Sequence, residues 1–297
     1  MKPFTVERVD VRGLSQRVLR WGPAQAPKLF MLHGWMDVAA SFQFLVDALG
    51  RDWHVIAPDL RGFGQSAWQD QGYWFPDYIA DLEALLDHYA PGESAKLVGH
   101  SLGGNIVMHY AGVRPQRVSH LVSLEGFGIP SEDAACAPDK LAKWLDALRA
   151  PPTFRLYANL DAVAARLRKT NPRLDPAKAR FLAGEWAEAL PDGSARLTSD
   201  PRHKLPFPTV YRMEEVYAVW ETISAPTLWI GAQHSELPRW LDDHPEGEGA
   251  VENLAGVRRR LAHIPHAELV VIDDAGHMVH HDQPVAVACA IEAFLLH

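Results

Sequence analysis

Ser101 lies in the segment Gly99–Gly103, which reads G-H-S-L-G, and this G-x-S-x-G pattern is typical of a serine presented for nucleophilic attack. The turn that presents such a serine is sharp and leaves no room for side chains two residues to either side of it. Glycine at both positions removes that clash. A short apolar strand, 95–98, precedes the pattern, and a helical run over 102–114 follows it. The chemistry indicated is covalent catalysis by the Ser101 hydroxyl.

The elements that must position this serine alternate between short apolar runs and amphipathic stretches. This alternation predicts an α/β fold with βαβ units and a mostly parallel central sheet flanked by helices. An initial hairpin is predicted over 4–11 and 15–21. Six buried strands are predicted after it: 29–32, 55–57, 96–98, 121–124, 227–230 and 269–272. Helices are predicted between most of them: 42–49, 78–89, 102–114 and 284–296.

The alternation stops between about residues 129 and 222, where the sequence is rich in helical patterns and interrupted by prolines. We therefore predict a helical cap at 129–222, inserted into a core formed by 1–128 and 223–297. The cap is expected to set substrate choice through an apolar pocket with few charges. Ten of its residues are available to line that pocket: Trp144, Phe154, Leu156, Tyr157, Trp186, Phe207, Tyr211, Met213, Tyr217 and Trp220.

Composition excludes several classes of function. The chain has 297 residues, of which 47% are hydrophobic, with a net charge of −8 and two cysteines. Scattered lysine and arginine argue against nucleic acid as a partner. No run approaches the ~20 apolar residues of a membrane span, and the first residues lack an apolar segment of signal-peptide length. We expect a cytoplasmic protein, a monomer or homodimer, that binds no nucleic acid and no membrane.

Four motifs in this order resemble the α/β-hydrolase superfamily across almost the whole chain outside the cap. They are Leu32–Trp35 (L-H-G-W), Asp59–Ser66 (D-L-R-G-F-G-Q-S), the serine pentapeptide and Gly276-His277. More narrowly, the chain is similar to the serine hydrolase-like group. This narrower resemblance rests on three sequence segments: Leu32–Asp37, Leu124–Gly128 and Arg168–Leu174. The resemblance implies an α/β-hydrolase fold.

The resemblance also implies that His277 is the base that a serine nucleophile needs, because it follows the last predicted strand. Its neighbours His280 and His281 are expected to be structural or solvent-facing. A competing hypothesis makes His277, His280 and His281 a metal site, since their spacing can bring two or three rings together. The serine motif already accounts for His277, so we predict no metal and no cofactor.

The acid that orients the base has more than one candidate. The superfamily usually carries it after the seventh strand, but His234 stands at that position. Glu125 ends the sixth predicted strand, at the carboxyl edge where such sites assemble. The haloalkane dehalogenases, a branch that the chain resembles, include members with the acid after this strand. We favour Glu125, with Glu236 as the alternative and Asp242 or Asp243 as further ones, although Glu125 can also be a structural carboxylate that caps its turn.

Two backbone N–H groups are predicted to stabilise the oxyanion that forms on attack. One belongs to Leu102, at the amino end of a helix, and the other to Trp35. Gly34 is expected to let the backbone approach the substrate, and the Trp35 indole is a candidate wall of the acyl pocket. His100 is included among the candidate substrate-binding residues, although it is also expected to pack beneath the serine turn.

Together these residues predict a serine hydrolase that cleaves a small to medium carboxylic ester, its partner being a small-molecule acyl substrate. The alternatives are a carbon–carbon bond hydrolase acting on ring-cleavage products, cleavage of a thioester, lactone or amide, and a non-catalytic ligand receptor on the same scaffold. Haloalkane dehalogenation and epoxide hydrolysis are disfavoured, because both use a carboxylate nucleophile and position 101 is serine.

Overall fold

The computed structural model describes residues 1–236 and 254–296. Its strands are β1 (Phe4–Val11), β2 (Leu14–Trp21), β3 (Lys28–Leu32), β4 (His54–Pro58), β5 (Ala95–His100), β6 (Val118–Leu124), β7 (Ala187–Ala189), β8 (Ala195–Leu197), β9 (Thr227–Ala232) and β10 (Ala267–Ile272). Eight of them form one sheet in the order β1-β2-β4-β3-β5-β6-β9-β10. The pairs β1–β2 and β2–β4 are antiparallel, and the other pairs of this sheet are parallel. The predicted α/β fold with a mostly parallel sheet is confirmed.

Helices cover both faces of the sheet. They are α1 (Gln43–Ala48), α2 (Phe75–Tyr89), α3 (Leu102–Val113), α4 (Ala137–Arg149), α5 (Leu160–Thr170), α6 (Pro176–Trp186), α7 (Met213–Trp220), α8 (Ala255–Leu261), α9 (Val279–Asp282) and α10 (Pro284–Leu295). Strand side chains alternate between two hydrophobic clusters, as the pleat requires. Phe30 and Leu32 pack in the cluster with α2, α3 and α7, whereas Leu29 and Met31 pack in the cluster with α1 and α10.

The predicted strands form, but β10 is less buried than expected. Of its six residues only Ile272 is buried, whereas every residue of β9 is buried. The reason is position, since β10 is the last strand of the sheet and has a neighbour on one side alone. The short antiparallel pair β7–β8 was not predicted, because three-residue strands leave no alternation to detect.

The segment between β6 and β9 holds α4 to α7 together with β7 and β8. The part containing α5 and α6 has its own hydrophobic cluster. The helix α7 differs, because Val216 and Trp220 are buried in the cluster of the main sheet. The Trp220 ring packs edge-on against Trp229 of β9, with 5.4 Å between ring centroids. By packing, therefore, α7 belongs with the core although it precedes residue 223.

Within the described residues, no helix has both the length and the apolar character needed to cross a membrane.

Candidate active site

Ser101 occupies the turn between β5 and α3 in a strained backbone conformation. Its φ is +51° and its ψ is −112°, a combination that side-chain clashes make rare for residues other than glycine. The Ser101 N–H donates to the carbonyl oxygen of Leu124 at the end of β6 (2.8 Å). The Ser101 carbonyl accepts from the N–H of Asn105 in α3 (3.0 Å). The sharp turn expected from the G-x-S-x-G pattern is therefore present and is held from both sides.

The glycines around Ser101 are required by close approach of the backbone. A Cβ at Gly99 would overlap the carbonyl oxygen of Gly103, and a Cβ at Gly103 would overlap that of Leu32 in β3. Gly34, in the loop after β3, is also confined, because a Cβ there would lie 3.2 Å from the Cβ of Ser101. The loop after β3 thus packs directly against the serine turn.

His277, the predicted base, lies between β10 and α9 with 38% of its side chain exposed. Its Nδ1 lies 3.3 Å from Oε2 of Glu125, the predicted acid, whose side chain is fully buried. A carboxylate oxygen can only accept, so the hydrogen is on Nδ1 and the lone pair of a general base is on Nε2. The structure therefore brings the predicted base and the favoured acid together in the tautomer that catalysis by Ser101 needs.

The buried Glu125 carboxylate is surrounded by hydrogen-bond donors. Glu125 has a φ of +55°, and its N–H donates to the carbonyl of Ile230 in β9 (2.9 Å). Oε1 accepts from the N–H of Ala232 (2.7 Å), and Oε2 accepts from the Ser235 hydroxyl as well as from His277. Burying a carboxylate is unfavourable unless such donors replace water. Together these contacts fix the orientation of Glu125 toward the histidine.

A histidine stands at the usual position of the acid, in the turn after β9. His234 is exposed there, while the last residue of β9 and the same turn each supply one donor to Glu125. The turn thus supports an acid that comes from the neighbouring strand β6. The alternative acid, Glu236, is exposed. Two further candidates lie outside the described residues: Asp242 and Asp243.

The two predicted oxyanion donors are the N–H groups of Leu102 and Trp35. Leu102 is the first residue of α3, where helix N–H groups have no partner within the helix and the dipole favours negative charge. The carbonyl of Gly34 lies 2.8 Å from Nδ1 of His33, whose Nε2 accepts from the N–H of Leu60 (2.9 Å). His33 therefore donates from Nδ1 to Gly34. Because the peptide is trans, the Trp35 N–H points away from that contact.

The Trp35 indole connects the loop after β3 with the segment before α7. It is 53% exposed, and its Nε1 donates to the carbonyl of His203 (3.3 Å). The His203 ring is stacked between Phe63 and Tyr73, with 3.5 and 3.6 Å between ring centroids. Burial lowers the pKa of His203 to about 3, so this ring is neutral at physiological pH. The position of Trp35 is consistent with its predicted place at the wall of an acyl site.

His100 is buried beneath the serine turn, which argues against its predicted contact with substrate. Only 2% of the residue is exposed, and burial lowers the pKa of His100 well below its usual value. Its Nε2 lies 2.9 Å from the carbonyl oxygen of His277. A carbonyl can only accept, so His100 donates and holds the backbone of the predicted base. The structure supports a positioning role for His100.

Asp282 anchors the loop that carries His277. Its Oδ2 accepts from the N–H of Gly276 (2.8 Å), and its Oδ1 accepts from Nδ2 of Asn171 (2.8 Å). Asn171 belongs to the segment Arg168–Leu174, one of the three on which the narrower resemblance rests, and the sequence analysis gave Asn171 no role. The resemblance of this segment was the one sign that it matters. Nothing in the sequence connected it with the His277 loop, which lies more than a hundred residues away.

His280 and His281 in α9 are buried, so of the two roles expected for them the structural one holds and the solvent-facing one does not. The His280 ring lies 5.3 Å from that of Phe42, and the His281 ring lies 5.6 Å from that of Phe44. Aromatic residues around α1 therefore pack against both imidazoles.

Several aromatic residues expected to line an acyl pocket have other places in the fold. Trp220 is fully buried in the core, as described above. Trp144 and Phe207 line a cleft of about 600 Å³ together with Arg12 and Arg61. The residues that line this cleft include neither the predicted nucleophile nor the predicted base. The cleft is charged rather than apolar, so the expected apolar pocket is not this one.

Comparison with known proteins identifies relatives over nearly the whole chain. A family model described as alpha/beta hydrolase fold matches residues 27–284. A protein from Danio rerio named serine hydrolase-like protein is 24% identical over 93% of this chain and 83% of its own length. Lipase LipV from Mycobacterium tuberculosis is 30% identical over 95% of this chain and 98% of its own length.

Solved structures have the same fold. A hypothetical protein from Pseudomonas aeruginosa PAO1 superposes with a TM-score of 0.85 at 25% sequence identity. The match covers 98% of this chain and 99% of the other.

Proposed function

Because the chain belongs to the α/β-hydrolase fold family, with esterase- and lipase-named relatives, we propose that it cleaves a small to medium carboxylic ester through an acyl-enzyme on Ser101. One observation carries the proposal: His277 contacts the buried Glu125 carboxylate at 3.3 Å, in a chain whose Ser101 is held in a strained turn. A receptor that only binds a ligand has no need of either feature.

In the first half of the proposed reaction, Nε2 of His277 removes the proton of the Ser101 hydroxyl as its oxygen attacks the ester carbonyl. The N–H groups of Leu102 and Trp35 stabilise the oxyanion. Glu125 stabilises the imidazolium that forms, because its charge faces Nδ1. The tetrahedral intermediate then breaks its bond to the alkoxide, which takes the proton from Nε2 and leaves as an alcohol.

In the second half, a water molecule enters and His277 removes one of its protons while the oxygen attacks the acyl-enzyme. The second tetrahedral intermediate expels the Ser101 oxygen, which regains its proton from Nε2. The products are a carboxylic acid and an alcohol, and the enzyme returns to its starting state. Anchoring of the His277 backbone by His100 (2.9 Å) keeps the imidazole in place through both proton transfers.

An ester is the favoured substrate because the relative with 30% identity over 95% of this chain is named a lipase. A nucleophilic serine also suits thioesters, lactones, amides and the carbon–carbon bonds of ring-cleavage products, and these are the alternatives. Of the predicted cap 129–222, the proposal keeps the part before α7 as a cover over the site, supported by the contact between Trp35 and His203. The partner is a small-molecule acyl compound.

The test is labelling with a fluorophosphonate probe, followed by mass spectrometry of the intact protein and its peptides. One adduct per chain on Ser101, absent in Ser101→Ala, is expected from an activated serine. Wild-type protein that stays unlabelled would contradict catalysis and favour a ligand receptor. Turnover of p-nitrophenyl esters of increasing chain length, measured beside thioesters and dienone substrates, then identifies the bond. Faster turnover of a dienone than of every ester would replace ester hydrolysis with carbon–carbon cleavage.

A further inference from the structure

A second cluster of polar side chains is buried behind the candidate active site. Asp37 lies in the loop after β3, and His280 and His281 lie in α9. Their exposed fractions are 3%, 0% and 4%. Each offers one ligand atom, and the three atoms lie within 4.8 Å of one another. The proposed reaction uses none of these side chains.

The partners within the protein do not satisfy this cluster. Oδ1 of Asp37 accepts from Nε1 of Trp186 (3.1 Å), and the Ser41 side chain and the N–H of Val38 are further hydrogen-bond partners of the carboxylate. Within the described residues, however, Oδ2 of Asp37 and both ring nitrogens of His280 have no hydrogen-bond partner. Buried polar atoms are rarely left in this state unless a water or an ion binds them. The unpartnered atoms thus point to a missing ligand.

The tautomer of His281 is the one that a metal ligand needs. Its Nε2 lies 2.6 Å from the hydroxyl and 3.2 Å from the carbonyl oxygen of Ser41, in the 3-10 turn Ala39–Phe42. Because the carbonyl can only accept, Nε2 carries the hydrogen and Nδ1 keeps its lone pair. A histidine that ligates a metal commonly donates its other N–H to a backbone carbonyl in this way.

From these contacts we propose that Asp37, His280 and His281 bind a divalent transition-metal ion of the zinc class. Two imidazoles and a carboxylate are a donor set that suits Zn²⁺ and Co²⁺. Bonds of about 2.0–2.2 Å place tetrahedral ligand atoms about 3.4 Å apart. The widest pair therefore has to close by at most about 1.4 Å when the ion binds. A water molecule completes the coordination.

The site adjoins the candidate active site. The His280 ring lies 4.4 Å from that of His100, which donates to the carbonyl of His277. The same α9 follows His277 by one residue. A bound metal therefore ties together the loop after β3 and the segment that carries the proposed base, and it should raise the thermal stability of both.

The experiment uses full-length protein expressed with added zinc and, separately, protein treated with a chelator. Elemental analysis should find close to one zinc per chain in the first sample, and zinc should raise the Tm of the second. Titration with Co²⁺ should produce the intense visible absorption bands of a tetrahedral site. His280→Gln and Asp37→Asn should weaken Co²⁺ binding at least tenfold, whereas His234→Gln, which removes an exposed histidine, should leave it unchanged.

X-ray absorption of the zinc-loaded wild-type protein needs no variant and keeps the proposal testable if a variant fails to fold. Two imidazole ligands with oxygen ligands are expected. Wild-type protein that binds neither Zn²⁺ nor Co²⁺ would show that the unpartnered atoms bind buried water, and would overturn the proposal. Coordination by three or more imidazoles, or binding that His280→Gln leaves intact, would place the ion elsewhere and have the same consequence. None of these measurements depends on hydrolase activity.

Discussion

Glu125 and Asp37 are both buried carboxylates that follow strands of the parallel sheet and lie beside histidines, yet their donors are distributed differently over the two oxygens. Both oxygens of Glu125 accept hydrogen bonds, from the N–H of Ala232, the hydroxyl of Ser235 and the imidazole of His277. Oδ2 of Asp37 has no partner within the described residues. Burial alone therefore does not decide what a carboxylate does, because the donors around it determine whether its charge is stabilised.

The difference has a direct chemical consequence. A carboxylate with donors on both oxygens holds its charge in one orientation, as the acid of a serine hydrolase must. A carboxylate with an unpartnered oxygen keeps a proton more easily, and burial accordingly raises the pKa of Asp37 to about 7. Such an oxygen is also open to a metal ion. Glu125 thus fits a catalytic unit, whereas Asp37 fits a ligand site.

The largest expected effect tests whether Glu125 belongs to a catalytic unit at all. Ser101→Ala and His277→Ala should each lower ester turnover by about 10⁴-fold or more while the protein remains folded. Residues that act as a unit are not additive, so the double variant should be only slightly slower than either single one. His234→Ala is the matched control, and its turnover should stay near that of wild type. Retention of more than a tenth of wild-type turnover in Ser101→Ala would remove the proposed nucleophile.

The next largest effect concerns the charge of Glu125. Glu125→Gln keeps the shape of the side chain but removes the charge that stabilises the imidazolium, so kcat should fall by about 10²–10⁴-fold. Glu236→Gln, at an exposed position, should change kcat by less than about tenfold. A large loss of kcat in Glu236→Gln together with a small one in Glu125→Gln would assign the role of the acid to Glu236. The protein would then be a serine hydrolase with a different triad.

Much of the core fold could be predicted from local pattern, because strands such as β3 and β5 are short apolar runs between turns and each patterned helix has an apolar face. The serine turn was also predictable, since its glycines form a recognisable sequence pattern, although the close approach to Gly103 comes from Leu32 in another strand. Glu125 was the favoured acid from sequence, with Glu236 as the alternative, but its surroundings could not be predicted. Its donors Ala232 and Ser235 lie far from Glu125 along the chain.

The Asp37 cluster could not be predicted for the same reason. His280 and His281 are adjacent in sequence, but Asp37 joins them only through tertiary packing, and burial of both histidines depends on the rings of Phe42 and Phe44. The metal site considered in the sequence analysis had His277 as its third ligand, because it was based on spacing along the chain. A ligand from another part of the fold, such as Asp37, cannot be identified from spacing.

A smaller effect, on stability, tests the Asp37 side of the comparison. Because the folded-state pKa of Asp37 is raised from 3.8 to about 7, this carboxyl group binds more protons in the folded than in the unfolded protein between these values. Its contribution to the free energy of unfolding therefore falls as pH rises through this window, by up to about 4 kcal/mol. Asp37→Asn carries no such proton. The free energy of unfolding is measured by urea titration in the presence of a chelator, from pH 4 to pH 8. The value for wild type should fall relative to that for Asp37→Asn as the pH rises. Parallel plots of the two free energies against pH would contradict the raised pKa.

The smallest expected effect isolates one donor of Glu125. Ser235→Ala removes the hydroxyl that donates to Oε2, and a hydrogen bond to a charged group contributes about 1.5 kcal/mol or more. The acid is then oriented less well, so kcat should fall by about tenfold while KM stays unchanged, and Ser235→Thr should recover part of the loss. Ser194→Ala is the control, because its exposed hydroxyl bonds only to Asp192 among the described residues. A kcat within twofold of wild type in Ser235→Ala would mean that Ala232 and His277 orient Glu125 without this hydroxyl.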